Sequence, residues 1–139
     1  MIAVVDSGPL YAAVDADDDD HERCLDVLRR ADFDLVVPAL VVAEVTYLVG
    51  RRLGPTIEAS FLRGLADLEV EAPSDSDLLA MADLVTQYGD FPLGGTDASV
   101  AVLADRLGTD LIVTLDRRHF SALRSATGGP YRILPDTDR

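Results

Sequence analysis

The sequence predicts an α/β domain: a parallel sheet of about five strands with helices on both faces. Three observations carry this. Short apolar runs alternate along the chain with longer segments of helical period. The runs are continuously apolar, as strands covered on both faces are. Turn and cap residues (Gly8-Pro9, Gly54-Pro55, Ser74 to Asp77, Gly94-Gly95, Gly108) separate the segments.

Ile2 to Val5 is the first strand, and Gly8-Pro9 leads into a short helix over Leu10 to Val14. Asp15 to Asp20 reads as a solvated acidic loop; it lacks the spaced ligands and the glycine of a calcium loop. His21 to Arg30 carries Cys24, Val27 and Leu28 at helical spacing. Leu35 to Val37 is a second strand, ended by Pro38. Leu40 to Leu53 is helical and stops at Gly54-Pro55; Thr56 to Leu65 is the next helix, with Ile57, Phe61, Leu62 and Leu65 expected on one face. Leu68 to Val70 is a third strand. Ser74 to Asp77 is an N-cap cluster before a helix over Leu78 to Tyr88. Gly94-Gly95-Thr96 leads into a helix from Asp97 to Leu107, closed by Gly108. Leu111 to Thr114 and Tyr131 to Leu134 are the fourth and fifth strands, and the polar end from Pro135 to Arg139 is expected to fray.

The 139 residues suit one domain, spanning 1–139, and 48% apolar residues suffice for a core. No apolar run approaches the ~20 residues of a membrane helix. The start has no basic region or cleavage site of a signal peptide, so a cytoplasmic location is expected. The single cysteine, Cys24, excludes an internal disulfide and a multi-cysteine zinc site, and is expected to serve packing. Acidic residues number 25 against 12 basic ones, all arginine, for a formal charge of −13. That balance opposes general attraction to nucleic acid, which depends on neutralising phosphates.

Four acids stand where a sheet of this kind presents a site. Asp6 follows the first strand, and Asp116 follows the fourth after Thr114-Leu115. Asp97 opens a helix, and Glu44 lies in the first turns of another. Each has an ordinary structural account. Asp6 could cap the turn before Leu10, and Asp97 could sit at a helix start for the macrodipole. Glu44, among Val41, Val42, Ala43, Val45 and Leu48, could need an arginine partner. Asp116 could pair with Arg117 or Arg118. Together the four suit a hard cation. Gathered carboxylates repel and would take up protons, unless a divalent ion with oxygen ligands removes that penalty. Such an ion lowers the pKa of bound water and stabilises charge on a reacting phosphate. His21 and His119 lack metal-ligand spacing and are expected at the surface or in packing. Ser7 lacks an evident base for a nucleophile, and Gly94-Gly95 lacks the pattern of a phosphate loop.

The strand ending in Asp6-Ser7, Glu44 in a helix, Thr96-Asp97-Ala98, and Thr114-Leu115-Asp116 with Phe120 four residues on resemble, in this order, the PIN-domain proteins. In size and layout the chain looks like the VapC-type toxins of toxin–antitoxin pairs. The resemblance covers essentially the whole chain. It implies an α/β/α sandwich and a magnesium- or manganese-dependent site of Asp6, Glu44, Asp97 and Asp116 that cleaves RNA. It further implies a homodimer, and a cognate VapB-type antitoxin whose C-terminal segment lies over the groove.

The expected reaction is hydrolysis of an RNA phosphodiester. Asp6 and Asp97 are the expected direct metal ligands. Glu44 and Asp116 would bind directly, bind through water, or assist proton transfer. Ser7, Thr114, Arg117 and Arg118 are accessory candidates. A haloacid-dehalogenase-type phosphatase would need an acid where Gly8 stands, and a receiver domain would need a lysine. The alternative from another class is a non-catalytic partner subunit whose acids bind metal or a basic peptide.

Overall fold

The computed structural model describes residues 1–137. Its strands are β1 (Ile2–Val5), β2 (Asp34–Pro38), β3 (Glu69–Glu71), β4 (Leu111–Val113) and β5 (Arg132–Leu134). Its helices are α1 (Ser7–Val14), α2 (His21–Leu28), α3 (Ala39–Leu53), α4 (Pro55–Leu65), α5 (Asp75–Gln87), α6 (Gly95–Arg106) and α7 (Arg117–Ala122). One five-stranded sheet in the order β3-β2-β1-β4-β5 joins the strands, and every pairing is parallel. The chain runs outward from β1 to β2 and β3, then returns across the sheet to β4 on the other side of β1. Right-handed crossovers therefore put the helices of the two halves on opposite faces. The order reverses between β1 and β4, where a crevice opens beyond the strand ends.

β1 is central and fully covered. Ala3, Val4 and Val5 are buried, as are Val36 and Val37 of β2 and all of β4. Each buried valine side chain contributes on the order of 1.5–3 kcal/mol relative to exposure. Helix α6 packs against β1, β2 and β4, and its run from Ala98 to Ala104 is buried throughout. A helix without a polar stripe there is one enclosed by the sheet and its neighbours.

Helix α1 starts at Ser7, three residues earlier than the sequence suggests. Pro9 does not delay it, because a proline in the first turn removes an N–H that has no helical partner anyway. Helix α5 likewise starts early, at Asp75. The Ser74 hydroxyl accepts from the Asp77 N–H at 3.1 Å, and Asp77 Oδ2 accepts from the Ser74 N–H at 3.0 Å. On α4 only Phe61 and Leu65 are buried, while Ile57 and Leu62 are exposed. The expected four-residue face narrows to the pair one turn apart. The short helix α7 was not anticipated. Gly108, at φ 70, ends the α6 segment as expected.

Cys24 is buried, and burial pushes its thiol up to about 11, which leaves it unreactive at neutral pH. His21 packs and bonds: its Nδ1 lies 2.7 Å from the Ala12 carbonyl. The acidic loop is held by its own turns, with Asp15 Oδ1 accepting from Asp17 N–H and Asp18 Oδ1 from Asp20 N–H. Of the end expected to fray, Pro135 accepts from Arg117 and Asp136 from Arg23; Asp138 and Arg139 lie outside the described residues. No described helix is long and apolar enough to cross a membrane.

Candidate active site

The register of the two central strands builds the site. Val5 of β1 pairs with Val113 of β4, and the ladder extends one step, with Asp6 N–H donating to the Val113 carbonyl at 2.9 Å. The next residues, Asp6 and Thr114, are therefore side-by-side neighbours. The Thr114 hydroxyl donates to Asp6 Oδ2 at 2.7 Å. The Thr114 hydroxyl oxygen in turn accepts from the Asp116 N–H at 2.9 Å, so one buried threonine links the ends of both strands.

Asp6 stands at the N-cap position of α1 but makes no side-chain cap bond; its carboxylate turns to Thr114 and the cleft instead. Asp97 is the third residue of α6. Its Oδ2 accepts from Gly94 N–H at 3.3 Å, so it is both a helix-start residue and a member of the cluster. Glu44 is not enclosed among its apolar neighbours. Val41, Val45 and Val49 take the buried face of α3, while Glu44 is on the exposed side. Its partner is the Ser7 hydroxyl, at 2.7 Å, where an arginine was the ordinary expectation. Asp116 caps α7: Oδ1 accepts from the His119 N–H at 3.1 Å.

Asp6, Ser7, Glu44, Asp97, Leu115 and Asp116 line one open cleft of about 430 Å³. The four carboxylates thus come together from four separate elements. A second hollow of about 440 Å³ lies at the amino ends of the strands around Met1, Gly108 and Thr109. Its acids are already occupied: Asp105 accepts from Tyr131 at 2.8 Å and Asp110 from Arg132 at 2.7 Å.

The electrostatics follow from the crowding. Asp6 is 6% exposed. Burial raises its carboxyl to about 6, with Asp97 and Glu44 adding to the rise; the bonds from Thr114 and the Ser7 N–H oppose it. Burial also raises Asp97, helped by Asp116 and Glu44 and opposed by Gly94 N–H and His119. Among the described residues no arginine pairs with any of the four acids. Four carboxylates that line one cleft, two of them raised by burial and none paired with an arginine among the described residues, suit a hard divalent ion.

The arginines beside Asp116 diverge. Arg117 NH2 donates to the Ile133 carbonyl at 3.2 Å and to that of Pro135, tying α7 to β5. Arg118 is exposed, its guanidinium 5.1 Å from the centre of the Phe91 ring. His119 is the residue that the sequence reading missed. Asp97, Asp116 and His119 offer ligand atoms within 4.8 Å of one another. The signal was an Asp three residues before a His, which becomes a contact only if a helix starts between them.

The molecule is thus a parallel α/β domain with an acidic cleft at the switch point of its sheet. A family model described as PIN domain matches residues 3–125, and the chain belongs to that family. It is 40% identical over 134 residues to Ribonuclease VapC26 of Mycobacterium tuberculosis (strain ATCC 25618 / H37Rv), covering 95% of this chain and 99% of the relative. Its fold is shared with the crystal structure of M. tuberculosis VapC20, a sarcin-ricin loop cleaving toxin. There the TM-score is 0.74 at 15% identity, over 79% of this chain and 86% of the other. The crystal structure of VapBC2 from Rickettsia felis bound to a DNA fragment from their promoter gives 0.71 at 19% identity, over 97% and 100%.

Proposed function

We propose that this chain is a divalent-metal-dependent endoribonuclease, the toxin of a pair in which a VapB-type antitoxin neutralises it. The observation that carries the reading is the convergence of Asp6, Glu44, Asp97 and Asp116 on one cleft. The relation to Ribonuclease VapC26 along nearly the whole of both chains supports it, as does a fold shared with a VapBC complex.

Asp6 and Asp97 would hold magnesium or manganese directly, with Glu44 and Asp116 joining directly or through water. The ion, when bound, supplies the positive charge that favours ionised water and offsets charge on the phosphate. The protein's own groups set the geometry. Thr114 fixes the Asp6 carboxylate, and Ser7 fixes Glu44 and so aims the outermost acid across the cleft. Glu44, exposed at the rim, would take a proton from water or return one to the leaving oxygen. The open cleft admits an extended single strand or a loop of RNA. A homodimer belongs to the same reading.

The test is the full-length chain expressed without its partner, then purified and offered RNA with Mg2+ or Mn2+. Growth arrest and metal-dependent cleavage are expected. Asp97→Asn should lower cleavage at least ~100-fold, since even an outer partner of a metal ligand is worth 10- to 100-fold. A harmless chain that cleaves no RNA with either metal would overturn the nuclease and leave a non-catalytic metal- or peptide-binding subunit.

A further inference from the structure

We infer that His119 is a positioning residue for the acid site: it grips both carboxylate oxygens of Asp116 and sets the direction that carboxylate presents to a divalent cation. The inference rests on the metal-site reading above. One residue supplies both contacts, its backbone N–H to Oδ1 at 3.1 Å and its ring Nδ1 to Oδ2 at 2.6 Å. A carboxylate only accepts, so Nδ1 carries the hydrogen. The grip fixes the plane of the carboxylate and leaves further lone pairs on both oxygens for the cleft.

The other ring nitrogen excludes competing roles. Nε2 is sealed from solvent and has no hydrogen-bond partner among the described residues. A group enclosed in this way reaches neither substrate nor water, so it is no proton carrier for the reaction. Nor is the ring free to turn. Phe91 packs on it, with ring centres 4.8 Å apart, and Arg118 covers the Phe91 ring. With Nδ1 engaged and Nε2 enclosed, the ring's hydrogen-bond partner among the described residues is Asp116, which in turn bonds through its N–H to Thr114 and so to Asp6. His119 thus orients one ligand of a connected set.

Two substitutions separate the hydrogen bond from the packing. His119→Asn keeps an N–H near the Nδ1 position and loses the ring. His119→Phe keeps a ring against Phe91 and loses the donor. The readout is the dissociation constant for Mn2+ alone, by electron paramagnetic resonance on the full-length chain, with thermal unfolding in EDTA confirming the fold. H119N should bind within about threefold of the parent and H119F 10- to 100-fold more weakly, the range for an outer partner of a metal ligand. Should H119F not fold, His119→Leu reads the same contrast. Parent-like binding by H119F overturns the inference. So does a loss in H119N as large as in H119F, which would make the ring itself, as ligand or as packing, the active element. A parent chain that binds no Mn2+ fails the metal-site reading instead.

Discussion

Asp6 is where the fold's requirements and the site's conflict. Its carboxyl is carried up from 3.8 to about 6, burial first and neighbouring acids after it. The folded chain therefore holds that proton more tightly than the unfolded chain. The metal-free fold is favoured by this group below about pH 4, and that contribution is lost as pH rises to about 6 and beyond. The shift corresponds to up to ~3 kcal/mol opposing the fold at neutral pH. Asp6→Asn keeps an oxygen for Thr114 and removes the charge. In EDTA at pH 8 it should raise stability by about 1–3 kcal/mol, a gain of several degrees in Tm, and the gain should vanish by pH 4. With millimolar Mn2+ the order should reverse, because only the parent gains the ligand's stabilisation. Calorimetric melts at the two pH values decide it; a D6N chain equally destabilised at both would refute this account of the charge.

The elements divide into those whose ends are written locally and those that depend on distant parts. The five strands, and the six longer helices apart from where α1 and α5 begin, were legible because apolar runs, caps and glycines bound them within a few residues. Helix α7 was not, since six residues carry too little period to register, and its cap, Asp116, reads in the sequence as a site acid or an arginine partner and not as a helix cap. His119 was lost with it. The partners of Arg117 were also out of reach, because Ile133 and Pro135 come near only after β5 joins β4. This tie has a measurable consequence. Arg117→Ala frees α7 from β5 and should cost about 1–2 kcal/mol, the scale of a charged hydrogen bond. Ser74→Ala removes the cap of α5 for about 1 kcal/mol. Urea melts should place the two close together. Mn2+ affinity should fall only in R117A, because α7 carries Asp116 and α5 carries no acid of the site. Equal Mn2+ affinities in the two variants would show that β5 does not brace the cluster.

At the scale of the molecule, the total charge of −13 was plain in the sequence, and its placement was not. Folding uses up many of the arginines. Arg23, Arg30, Arg106 and Arg132 enter ion pairs, while Arg117 and Arg124 face backbone carbonyls. The acid cleft keeps its four carboxylates unpaired by arginine among the described residues, so the negative field is concentrated at the opening a ligand must enter. On the proposed function, RNA would be repelled there until a cation is bound, and a basic peptide would be attracted without one. An antitoxin whose C-terminal segment is basic would thus be captured by the same charges proposed to hold the metal. Exposed charge attraction is screened over ~10 Å at 0.1 M salt, and steering acts mainly on the association rate. Binding of such a segment to the full chain should slow by about tenfold or more between 50 and 500 mM NaCl, with dissociation changing less. Stopped-flow association at several salt concentrations measures this, and D97N, with one cleft charge fewer, should show a shallower dependence. A rate indifferent to salt in both chains would mean that apolar contacts alone recruit the inhibitor and that the acids of the cleft play no part in its capture.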